Sequence, residues 1–180
     1  GFFRADDGAG FGTEPWVSNG SIGGTFRIAD LYPGSSSSGG DQAFATSGLA
    51  FFQASVGAGA ELWRSDGTAP GTAQLTQLST NSGGGAPDRI VSYGGYAYFC
   101  TDDGIHGDEL WRTDGTTAGT ILLQDLNPGP GFGCDGSIVV SGGSMYLPGF
   151  NGSSFGLWRS NGQPGGAAWV KSFNAAPQQL

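Results

Sequence analysis

The chain predicts an all-β fold built from four repeated units of four antiparallel strands, a β-propeller-like arrangement. Three observations predict it. The block "ELWRSDGTAPGT" from Glu61 recurs 48 residues later as "ELWRTDGTTAGT" from Glu109. Four matching tryptophans, Trp16, Trp63, Trp111 and Trp158, stand 47, 48 and 47 residues apart. Short apolar runs alternate with Gly-rich turns, and no segment keeps a 3.6-residue helical period of useful length.

One unit, read in its third copy, gives four strands in order. "RIVSY" (89–93) is strand A. Gly94-Gly95 then supplies the two positive-φ positions of a tight hairpin. "YAYFCT" (96–101) is strand B. The loop "DDGIHGD" leads to strand C, "ELWRT". An Asp-Gly turn leads to strand D, "ILLQDL" (121–126), and "NPGPGFGCDG" crosses to the next unit. An aromatic or aliphatic pair precedes each Trp: Phe2-Phe3, Phe51-Phe52, Tyr98-Phe99 and Tyr146-Leu147. The units span approximately 1–42, 43–89, 90–137 and 138–180.

A sheet with two apolar faces cannot bury them alone, so stacked units must cover each other, with the Trp side chains between neighbours. In a propeller the twelve-residue block is then the inner hairpin of each wedge. Three arrangements fit the count: a ring closed within the chain, an arc of a larger propeller, or one part of an oligomeric ring. Closure places Leu180 opposite Phe3, with Cα atoms roughly 4.5–5.5 Å apart.

Composition narrows the function. The 180 residues hold 36 Gly, yet 12 Phe, 5 Tyr and 5 Trp are too many aromatics for a disordered chain. Net charge is −8 with seven Lys+Arg, which argues against nucleic acid and anionic membrane surfaces as partners. No run approaches the 18 or so apolar residues of a transmembrane helix, so membrane insertion is not expected. Cys100 and Cys134 are either a disulfide or two thiols; a composition of extracellular type favours the bridge.

Candidate chemistry is sparse. His106 is the only histidine, and no nucleophile motif accompanies it, so we expect no enzyme. Asp6-Asp7 and Asp102-Asp103 open B–C loops as "DDG". Two carboxylates beside a Gly turn suit Ca²⁺, with Glu14 or Glu109 sharing the ion; the alternative is a turn whose Asp caps its own backbone. Asp66 and Asp114 of "DGT" read as turn residues, because Asn19 and Asn161 replace them in the outer copies. Arg64, Arg112 and Arg159 follow their Trp, so they face the opposite flank and are expected to pair with Glu61 or Glu109. The B–C and D–A loops share one end of the units and are the more varied, so that end is the expected ligand face. Its exposed candidates are Asp102, Asp103, His106, Phe132 and Asp135, with Phe132 placed to stack on a sugar ring or a partner side chain.

The blocks "ELWRSDGT" and "ELWRTDGT", with "DGIHGDELW" before and "GTILLQDLNPG" after, resemble the ELWxxDGT repeat family of bacterial secreted and surface proteins. Copies one and four depart from it at Val17, Asn19 and Asn161. The resemblance covers nearly all of the chain. It implies an extracellular or cell-surface tandem-repeat protein with a propeller-like fold, and it implies no reaction. We therefore expect a non-enzymatic binding or adhesion module for a glycan or protein. The alternatives are a structural subunit that packs on copies of itself and, least supported, a secreted hydrolase or lyase.

Overall fold

The computed structural model describes residues 1–39, 43–46, 48–57, 59–78 and 87–175, with 43–46 described by backbone alone. Among the described residues there are fifteen strands and no helix. Sheet 1 holds β1 (Phe2–Ala5), β2 (Glu14–Ser18) and β3 (Thr25–Arg27). Sheet 2 holds β4 (Ala43–Thr46), β5 (Leu49–Ser55), β6 (Ala60–Ser65) and β7 (Ala73–Gln74). Sheet 3 holds β8 (Asp88–Tyr93), β9 (Tyr96–Asp102), β10 (Asp108–Thr113) and β11 (Ile121–Gln124). Sheet 4 holds β12 (Val139–Ser141), β13 (Ser144–Phe150), β14 (Phe155–Ser160) and β15 (Ala167–Phe173). Every sheet is an antiparallel meander in chain order. The expected pairing of Leu180 with Phe3 lies outside the described residues.

Strand alternation explains the residue pair that precedes each Trp. In sheet 3, Phe99 lies opposite Trp111 and Tyr98 opposite Arg112. Phe99 and Trp111 therefore share one flank, and Tyr98 and Arg112 the other. The Trp flank packs backward: Phe99 and Trp111 join Phe51, Leu62 and Leu75 of sheet 2 in one core cluster. The other flank packs forward: Tyr98, Cys100 and Leu110 join Met145, Leu147 and Trp158 of sheet 4. Sheets 1 and 2 meet the same way, with Phe2 and Phe52 rings 4.9 Å apart. The first strands β4 and β8, and β8 and β12, approach each other. The repeated block forms the third strand and the turn into the fourth, away from that edge. It is thus the outer hairpin and not the inner one, because the A–B hairpin takes the edge where sheets converge.

The repeated turn is a closed hydrogen-bond circuit. Asp114 Oδ1 accepts from Thr116 N and Oγ1 at 2.8 and 2.7 Å. Thr116 Oγ1 accepts from Gly119 N, and Thr120 Oγ1 donates to Thr116 O. Thr113 Oγ1 meets Thr120 Oγ1 at 2.7 Å and accepts from Gly115 N. Asp66 and Asn19 build the same circuit with Thr68 and Ser21. Only Oδ1 is used, which Asn supplies as well as Asp. The second glycine is obligatory: a Cβ on Gly24, Gly71, Gly119 or Gly166 would collide with the side chain of Asn19, Asp66, Asp114 or Asn161.

The repeat glutamate secures the crossover. Glu14, Glu61 and Glu109 are buried, and each accepts the backbone N–H found 17 residues later, on Leu31, Leu78 and Leu126. A buried carboxylate needs such donors. This bond also shortens the last strand. The run "ILLQDL" is expected to be strand throughout, yet β11 stops at Gln124, because Leu126 N turns to Glu109 at 2.6 Å. In the fourth unit Gly156 stands in place of Glu, where a Cβ would strike Trp169. Without that carboxylate β15 runs seven residues, against two to four in β3, β7 and β11.

Crossovers also interlock neighbours. Gly133 N donates to Asp108 O of sheet 3, and Phe150 N of sheet 4 donates to Gly133 O. Ser38 repeats this between Thr13 of sheet 1 and Ser55 of sheet 2. In the third crossover a Cys100–Cys134 disulfide, both residues buried, adds a covalent tie. Cys134 also bridges to Gly149 of β13.

Two outcomes are expected in urea denaturation. Replacing both Cys100 and Cys134 by Ser lowers stability by about 3–4 kcal/mol, the loop-closure value for 34 residues. Asp114→Asn stays within about 0.5 kcal/mol of the parent, while Asp114→Ala loses about 1–2 kcal/mol because the turn donors lose their acceptor.

Candidate functional site

The loop end of sheets 3 and 4 gathers the most varied side chains. Phe150 ends β13 and Phe155 begins β14, directly opposite each other in register. Their rings lie 5.1 Å apart. Phe132, from the preceding crossover, sits 6.0 and 6.2 Å from them and remains 43% exposed. Asn127 Nδ2 donates to Phe132 O at 3.0 Å and holds that crossover. Gly107 passes so close to Gly131 that a Cβ would strike its carbonyl. The His106 loop and the Phe132 loop are therefore neighbours.

His106 Nδ1 pairs with Asp103 Oδ2 at 2.7 Å, and its backbone N–H donates to Asp103 Oδ1. That hydrogen bond raises the imidazole above its ordinary value against the pull of desolvation. Burial works to raise Asp103, but the His106 and Ile105 hydrogen bonds outweigh it and hold the carboxyl below its usual range. Among the described residues no serine or threonine hydroxyl hydrogen-bonds the imidazole, and the pair stands on the loop that neighbours the Phe132 crossover.

The other expected residues separate. Asp6 and Asp7 lie in the loop of sheet 1, and each caps its own turn through Gly8 N and Ala9 N. Asp102 Oδ1 accepts from Gly104 N at 2.6 Å. Asp135 donates its backbone N–H to Pro148 O and lies half-buried beside β13. Glu14 and Glu109, expected to share a calcium ion with the Asp pairs, use their carboxylates on crossover N–H groups. Among the described residues three potential metal-ligating side chains converge at Asp88, Cys100 and Asp108, within 4.8 Å. The disulfide has taken that sulfur, and Arg89 Nη1 bridges both carboxylates at 2.8 and 3.0 Å, so a cation is already there. Arg89 sits at a bulge in β8 with φ 55°, a strained left-handed backbone.

The pairing expected for Arg112 needs a correction. Arg112 does not pair with a glutamate; it donates to Gly162 O of the next unit at 2.9 Å and lies over the Tyr96 ring. The glutamates point to the other flank and into the crossover. In sheet 1 Val17 replaces this arginine, and a cavity of about 240 Å³ opens between sheets 1 and 2, lined by Phe2, Val17, Leu49 and Gly67. Phe150 and Phe155 are not among the residues that the sequence pattern singles out. "FNGSSF" held the signal, since two aromatics flanking a four-residue hairpin loop must face each other.

No protein-family model matches the chain, and no curated protein matches it. A solved structure described as "Structural and Mechanistic Analysis of Two Prolyl Endopeptidases: Role of Inter-Domain Dynamics in Catalysis and Specificity" is similar in fold, with TM-score 0.55 and 13% identity. The likeness covers 97% of this chain and 26% of that one. It bears on fold alone.

Stability should fall as pH rises. Burial, with the Asp88 charge second, pushes Asp108 up from an ordinary 3.8 to about 6. Burial outweighs the Leu126 and Asn127 N–H donors and pushes Glu109 from 4.5 to about 8. The native chain keeps protons that the unfolded chain releases, so their stabilising contribution is complete below about pH 4 and lost up to about pH 8. The unfolding free energy at pH 5 should exceed that at pH 8 by about 1–3 kcal/mol, since each tenfold change in proton affinity is worth about 1.4 kcal/mol. Glu109→Gln should remove the part of the decline above pH 6; an unchanged profile in that variant would contradict the assignment.

Proposed function

We propose that this chain is four wedges of a β-propeller of the ELWxxDGT repeat kind, acting outside the cell as a non-enzymatic binding module for glycans. The observation that carries the reading is the Phe132–Phe150–Phe155 cluster on the loop end, with its outermost ring open to solvent. An exposed apolar ring on the crossover that neighbours the Asp102–His106 loop offers a flat face for sugar C–H groups, and the polar groups of that loop would serve the hydroxyls. The disulfide supports an oxidising compartment. Repetition of the loops supports multivalent binding, in which avidity exceeds single-site affinity. A Ca²⁺ ion on the Asp6-Asp7 or Asp102-Asp103 loops would be compatible with this role.

A glycan array probed with the 180-residue chain tests the reading. Binding to a defined glycan class is expected, with Phe132→Ala weakening it about 10-fold, the loss of roughly 1.4 kcal/mol, at unchanged thermal stability. Absence of any glycan signal, or equal binding by the variant, would overturn it.

A further inference from the structure

The chain makes one kind of sheet-to-sheet contact three times, and each half of that contact is left over once. The forward half consists of an aromatic from the second strand and a Leu or Pro from the third: Phe2 and Pro15, Phe51 and Leu62, Tyr98 and Leu110. In sheet 4 the corresponding residues are Tyr146 and Leu157. Tyr98 and Leu110 are 1% and 0% exposed, whereas Tyr146 and Leu157 are only half-buried and Val139, beside Tyr146 in register, is 42% exposed. The backward half consists of the residue opposite the Trp and the Trp itself. Phe52, Phe99 and Leu147 are at most 1% exposed, but Phe3 is 38% exposed and stacks on a half-buried Trp16.

The polar part of the contact is also duplicated. Arg112 of the forward half donates to Gly162 O in the turn of the next unit. Arg159 occupies the same place in sheet 4 and is exposed. Gly20 occupies the Gly162 position in the turn of sheet 1.

We propose that the Tyr146–Leu157–Arg159 flank of one copy docks on the Phe3–Trp16–Gly20 flank of a second copy of this chain, continuing the internal stacking between molecules. The two flanks are different surfaces, so the contact is heterologous and propagates head to tail until geometry closes it into a ring or leaves a filament. The occupant is a second copy because these flanks reproduce both halves of an interface the chain already forms with itself. The glycan site at the loop end takes no part.

Sedimentation velocity from 1 to 100 µM tests this, in roughly 0.5 M NaCl to screen repulsion between copies of net charge −8. The expected result is a mass above 18.3 kDa that rises with concentration. Phe3→Glu blocks one flank and Arg159→Glu the other. Each variant alone should be monomeric, and an equimolar mixture should form a dimer and stop there. A wild-type monomer throughout the range would overturn the proposal. So would Arg159→Glu, an exposed site whose folding is checked by circular dichroism, assembling as far as the parent does.

Discussion

Each sheet here has two apolar faces and can bury neither by itself. That constraint explains the residue pair before every Trp: one member covers the sheet behind, the other the sheet ahead. It also explains why the core is divided into clusters between sheets. Tyr98 and Phe99 are adjacent in sequence and belong to different clusters. Loss of either neighbour would expose one whole flank, so stability in such a chain is a property of contacts between units as much as of units.

Stacking alone does not set the spacing between sheets. The crossover does, and the buried repeat glutamate holds it by accepting a backbone N–H at a fixed distance along the chain. The fourth unit shows the dependence by its exception. There Gly156 replaces the glutamate, Trp169 packs edge-on against Trp158 at 5.0 Å, and the last strand runs on. One residue thus decides between a short edge strand with a secured crossover and a long edge strand. A long exposed edge carries unpaired backbone groups that short edges largely avoid.

The turn and the loop ends divide the labour. The side chains of the Asp-Gly-Thr turn are spent on the turn's own hydrogen bonds, so it tolerates Asn. The opposite end holds longer loops outside that circuit, and there three phenylalanines cluster on a crossover that neighbours the loop of the His106–Asp103 pair. Rigid interlocking through Ser38 and Gly133 keeps that end positioned while leaving its side chains free to vary.

Repeat length, strand order, turn positions and the two-sided apolar pattern were all legible in the residues, because periodicity and turn chemistry act over a few neighbouring positions. The equivalence of Asp and Asn in the turn could be read for the same reason. What the repeat glutamate does was not legible, since its partner lies 17 residues away and is a backbone N–H that any residue could supply. Nor was the partner of Arg112, a carbonyl in another unit, or the meeting of Phe132 with Phe150 and Phe155. Those pairings exist only once separate sheets are brought flank to flank, and local sequence carries no record of which loop tips that packing places together.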